Sequence, residues 1–256
     1  MTLAAPPNVH QSQARLPAER NCIRRTLRTA MLACALVASR VANGQADRID
    51  AGSFSIIKAG QRVGREQFSL RKAPSPEGAG FELRAESNVD ERRTAVQLST
   101  DSTGSPVRYA VEIRQGTTVS VRLGGQRVRG RFATQARRLR GESAREYLLA
   151  PGTLVLEAEF VHQLCFVLRG RLLSKGEFIT IPVISPLENT QREARLTLES
   201  VDDSVSLSGT RRTARRWRLE ERGGLVRTLW SDGEGRLMRV LIPALSFEAV
   251  RDDIPR

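Results

Sequence analysis

A chain of 256 residues with 41 Lys or Arg against 28 Asp or Glu carries a formal charge of +13, a balance that first suggests a polyanionic partner. Six of those basic residues and one of the acidic ones precede Asp47, so the rest of this arginine-rich chain keeps an excess of eight, spread along alternating segments rather than gathered in one patch. The strongest clusters, Arg127-Val-Arg-Gly-Arg131 and Arg211-Arg-Thr-Ala-Arg-Arg216, carry no aromatic platforms, which argues against a nucleic-acid partner.

The first 46 residues read as a leader. Arg20, Arg24, Arg25 and Arg28 precede the apolar run 30–38, and the small-residue site Gly44-Gln-Ala46 follows, which is the plan of a cleavable signal peptide ending near Ala46. The apolar run is about half the length that spans a bilayer, so no transmembrane anchor is expected. Cys34 is not read as a lipidation site, because Thr26-Leu-Arg-Thr29 upstream of it is not an apolar stretch. The expected location is the bacterial periplasm or the medium.

From residue 47 to 256 the sequence predicts one β-rich domain. Phe54 to Gly64 reads as a hairpin turning at Ala59-Gly60. Strict alternation follows in Phe81-Leu83-Ala85, Val96-Leu98, Val107-Tyr109-Val111-Ile113 and Val119-Val121-Leu123, each a strand with one wet face. Gly124-Gly125 reads as the next turn, and residues 136–149 as a weak helix or a loop.

The period then changes. Residues 154–173 are apolar nearly all round, with Phe160, Leu164 and Leu168 at helical spacing, after Pro151-Gly152 and with a stop at Arg169-Gly170. This predicts a buried helix over about 154–169. Ile181 to Pro186 re-enters as an extended segment, since its prolines oppose a helix. Leu196-Leu198, Val205-Leu207 and Trp217-Leu219 resume the alternation, with turns at Gly223-Gly224 and Asp232-Gly233. The predicted fold is mainly β, a curved antiparallel sheet or partial barrel wrapped around one central apolar helix.

Three pieces carry a resemblance: the hairpin 54–64, the central stretch 160–168 and the closing stretch from Gly224 to Pro243. Together they resemble a bacterial family of exported β proteins, a domain of unknown function with a partial-barrel sheet similar to lipoprotein-carrier and lipocalin-like folds. The resemblance implies the fold and supplies no functional residues.

Candidate chemistry is sparse. Of three cysteines, Cys22 and Cys34 fall in the leader, which leaves Cys165 without a disulfide partner. His162 is the one histidine beyond the leader, so no multi-histidine metal site can be built and no cofactor is implied. Asp202-Asp203 and Asp232-Gly-Glu234 sit where turns favour Asp and Gly.

Three functions follow, in order. The concave face binds an apolar or amphiphilic ligand such as a lipid, lined by Phe160, Leu164, Leu168, Trp217 and Trp230, without catalysis. Alternatively the helix fills the concavity and the protein is a cell-envelope interaction module that meets a protein partner on its wet face. Last is a thiol enzyme using Cys165 with His162 as its base.

Overall fold

A computed structural model describes residues 47–76 and 78–255; the predicted leader lies outside the described residues. The described residues form fifteen strands in one sheet: β1 Arg48–Lys58, β2 Gln61–Ser75, β3 Gly78–Val89, β4 Arg92–Asp101, β5 Pro106–Gln115, β6 Thr118–Val128, β7 Arg131–Arg138, β8 Gly141–Leu148, β9 Leu154–Val155, β10 Phe178–Ser185, β11 Thr190–Leu207, β12 Thr210–Glu221, β13 Val226–Ser231, β14 Leu237–Ile242 and β15 Phe247–Arg251. The spatial order is two meanders joined where β1 meets β15, running out to β8 at one edge and β9 at the other. The sheet is mainly antiparallel, strongly curved and not closed into a barrel.

Turn geometry explains the meander. Ala59-Gly60, Asp90-Glu91, Arg129-Gly130 and Ser208-Gly209 each place two successive residues at positive φ, the two-residue hairpin turn whose twist matches that of its strands. Gly124-Gly125, expected to turn, lies inside β6 instead. The ring of Phe132 fills the space a side chain at Gly125 would need, so that glycine serves packing. Residues 136–149, expected as weak helix or loop, run from the end of β7 through β8. At this edge the strand is polar on most positions, which hides its period.

Alternation puts Phe54, Leu70, Leu83, Leu98, Tyr109, Leu123 and Phe132 inside with almost no exposure. Residues 153–169 fill the concave face as an internal plug. The helix expected over about 154–169 is only one turn and a half, α1 at Leu164–Leu168, preceded by a 3₁₀ turn at Val161–Gln163. Before it, β9 adds to the edge of β10 in parallel, and Leu156 N–H donates to the Ile184 carbonyl at 3.0 Å. The physical reason is burial on every side: an apolar run enclosed by sheet shows no face, and periodicity then cannot separate helix from buried strand.

Further contacts complete the shell. Across the open seam, Gln191 Nε2 donates to the Leu148 carbonyl at 2.8 Å, Arg138 donates to the Leu187 carbonyl at 2.5 Å, and Arg145 donates to that of Asn189. At the other side, register shifts in β11 between Leu198 and Asp203 bend the β11–β12 hairpin, and Val205, Leu207, Ala214, Trp230 and Met238 form a second, small core. Ser208 Oγ donates to the Asp252 carbonyl at 2.6 Å and holds the hairpin tip.

Gly64 and Gly80 are needed for close approach, each against a backbone carbonyl of the neighbouring strand. Gly64 pairs with Val89, and a Cβ there would collide with the Asn88 carbonyl. Gly64→Ala is expected to cost about 1–3 kcal/mol, read from the urea midpoint at unchanged m.

Candidate functional site

The plug is tied down by polar groups that an apolar core has no need of. Glu157 N–H donates to Gln163 Oε1 at 2.7 Å, Gln163 Nε2 donates to Tyr109 Oη at 3.0 Å, and Tyr109 Oη donates to Glu157 Oε1 at 3.4 Å. The same Glu157 oxygen accepts Leu187 N–H at 3.1 Å. Further along, His162 N–H donates to Glu66 Oε1 at 2.7 Å. The His162 ring nitrogen Nδ1 lies 3.0 Å from that oxygen but off the line a hydrogen bond requires, so the backbone N–H is the bond. Glu157 Oε2 and both His162 ring nitrogens are buried without a hydrogen-bond partner among the described residues. Such orphans are rare in folded proteins and cluster where strain or function is held.

Where the plug meets the ends of β1 to β5 and β15, a cleft of about 240 Å³ opens. Its collar is apolar: Ile56, Val89, Phe160 and Phe247. Its floor is not. Register sets Glu66 opposite Ser87 and Ser87 opposite Thr94, so three oxygen-bearing side chains run in one row across β2, β3 and β4 on the inner face. Direct cross-strand neighbours stand about 5 Å apart at Cβ, close enough to act on one ligand group. Glu66 is 2 % exposed and Thr94 is 3 % exposed. At the rim, the plug residue Glu159 takes Lys58 at 3.1 Å and Arg92 at 3.7 Å, a clasp from the plug to both sides of the mouth.

The five ligand residues expected from sequence are not brought together. Phe160 lines the cleft. Leu164, Leu168 and Trp217 are packed in the main core, while Trp230 belongs to the second core. Trp217 pairs with Leu229, which sends Trp230 to the opposite face; its indole N–H donates to Asp203 at 3.1 Å. Cys165 is buried and burial pushes its thiol well above the usual range, aided by Asp50, so it stays protonated and is a poor nucleophile. Glu66, Ser87 and Thr94 were missed. Their signal is a polar residue at an inward position of a strand that otherwise alternates cleanly.

Larger depressions lie on the outer face, about 690 Å³ over β2 to β6 and about 870 Å³ over β4 to β8. Their floors use small residues, Ala95, Ala110, Gly124 and Ala133, and three of their arginines are engaged: Arg84 with Glu82 and Arg122 with Glu112 at 2.8 Å, Arg137 with Glu142 at 2.7 Å. The mouth cleft is the smaller space but the one lined by a buried carboxylate, that of Glu66. Among the described residues, no cluster of three metal-ligating side chains occurs, and no helix is long and apolar enough to cross a membrane.

No protein-family model, curated protein or solved structure matches this chain. The functional reading therefore rests on the cleft itself.

Proposed function

We propose that this chain is an exported, non-enzymatic binding protein that takes a small apolar or amphiphilic ligand at the mouth of its concave face. One observation carries the reading: buried Glu66 and Thr94 and half-buried Ser87 form one cross-strand row that lines the same cleft as the apolar side chains of Ile56, Val89, Phe160 and Phe247. A few placed polar groups in an apolar concavity is the general form of a small-molecule site. The resemblance to carrier-like partial barrels and the signal-like leader support the same reading. At about 240 Å³ the cleft is smaller than common drug-sized sites, so it suits a short ligand, or one end of a longer one whose tail leaves through the mouth.

A neutral fluorescent probe, N-phenyl-1-naphthylamine, tests it. Wild-type protein is expected to enhance probe emission, and Val89→Trp, which fills the collar at a half-buried position, to weaken binding at least tenfold with an unchanged melting curve. Absence of wild-type binding, or a Val89→Trp protein that binds as well, overturns the proposal.

The plugged concave face and the two outer depressions favour a second reading, an envelope interaction module using the outer sheet. Substituting Ala110→Trp on the outer face distinguishes the two, since it leaves the mouth intact.

A further inference from the structure

We infer that the polar end of the ligand is a primary ammonium group, held by Glu66, Ser87 and Thr94; this inference rests on the binding function proposed above. The cleft offers acceptors where the ligand's head must sit. Glu66 lines the cleft, and among the described residues only its Oε1 is engaged, by His162 on the plug. Its other oxygen, together with the hydroxyls of Ser87 and Thr94, makes three acceptor positions along one cross-strand row. An alkylammonium has three N–H donors and no acceptor, which matches three oxygens. A carboxylate or phosphate head would bring a second negative charge beside a buried one, and an alcohol would supply one donor for three acceptors.

The charges of the lining agree. Glu66, Asp90 and Glu159 outnumber Lys58 and Arg92 by one, and both cations are clasped by Glu159 at the rim rather than turned to the floor. Glu66 is 2 % exposed, and among the described residues its Oε2 accepts no hydrogen bond. A ligand cation supplies the missing partner. The collar of Ile56, Val89, Phe160 and Phe247 then receives the carbon chain, which within about 240 Å³ is short.

The test is displacement of N-phenyl-1-naphthylamine by hexylamine, 1-hexanol and hexanoate at neutral pH. Hexylamine is expected to displace the probe at a concentration at least tenfold below either of the others. In Glu66→Gln the preference should fall to within about twofold. Ser87→Ala/Thr94→Val keeps the carboxylate and removes two acceptors, so it should weaken hexylamine severalfold and leave 1-hexanol unchanged, even if Glu66→Gln fails to fold. Equal displacement by hexylamine and 1-hexanol, or a preference that survives both in Glu66→Gln and in Ser87→Ala/Thr94→Val, overturns the ammonium assignment while leaving the binding function standing. Failure of the probe to bind wild-type protein overturns both.

Discussion

Arg251→Met is expected to destabilise the fold by about 3–5 kcal/mol, the usual cost of stripping one partner from a buried ion pair. Arg251 ends β15 facing inward and is 1 % exposed. Its guanidinium grips both oxygens of Asp50 in β1, at 2.7 and 3.0 Å, and donates to the Ala51 carbonyl at 2.8 Å and the Leu237 carbonyl at 3.4 Å. It also stacks over the Phe68 ring at 5.3 Å. These contacts bind β1, β2, β14 and β15 at the one place where the two meanders are spliced. Without the cation, Asp50 stays buried with its charge unmet, and that stranded carboxylate makes up most of the loss. The double variant Asp50→Leu/Arg251→Met should therefore recover most of the stability, because two apolar side chains of similar bulk have no charge to desolvate. Urea unfolding of wild type, both single variants and the double variant measures the coupling. Additive losses, with the double variant worse than either single one, would refute this account of the splice.

That splice was not legible in the sequence, and the reason is general to long-range pairing. Alternation identifies Phe81-Leu83-Ala85 or Val107 to Ile113 as strands because each needs only its own period. Pairing of β1 with β15 joins residues about 200 positions apart, which no local pattern encodes. Glycine-bearing turns such as Ala59-Gly60 were readable, whereas Asp90-Glu91 takes positive φ at both residues with no glycine to announce it. Yet that turn sets the register of the cleft's polar row. A two-residue loop forces Val89 opposite Arg92, and Ser87 then falls opposite Thr94. The two tryptophans failed for a matter of parity: with Trp217 opposite Leu229, Trp230 must point to the other face of the sheet. Phe160 does line the cleft, and an apolar residue beside a chain reversal is visible without knowing its neighbours. Glu66 was not, since a carboxylate within a strand reads as solvent-facing until register puts it inside.

Raising the pH from about 4.5 to about 8 is expected to remove on the order of 5 kcal/mol of stability through Glu157 alone, and Glu157→Gln to abolish that loss. Glu157 is 4 % exposed, and burial is the main reason its carboxyl is pushed from 4.5 up to about 8; Glu188 pushes the same way, while the Leu187 N–H opposes. The sign follows from proton uptake. Below 4.5 both folded and unfolded chains hold the proton, so the group has no net effect. Between 4.5 and 8 the folded chain keeps a proton that the unfolded chain has lost, which favours unfolding by about 1.4 kcal/mol for each unit of pH. Above 8 both are ionised and the loss levels off. Glu82, Asp101, Asp203 and Asp252 act in another window: their carboxyls are held below the usual range, and their stabilisation is lost only as pH falls through it. Wild-type stability should thus be greatest in mild acid and decline toward pH 8, whereas Glu157→Gln, which keeps an acceptor for Leu187, should stay flat over that range. Parallel curves for the two proteins would rule out Glu157 as the source. The loss should also be local, because an ionised Glu157 has an oxygen without a donor at the base of the plug. At pH 8, amides of Val161 to Leu168 are expected to exchange faster in wild type than in Glu157→Gln, while those of the β1–β15 splice remain equally protected once the difference in global stability is allowed for.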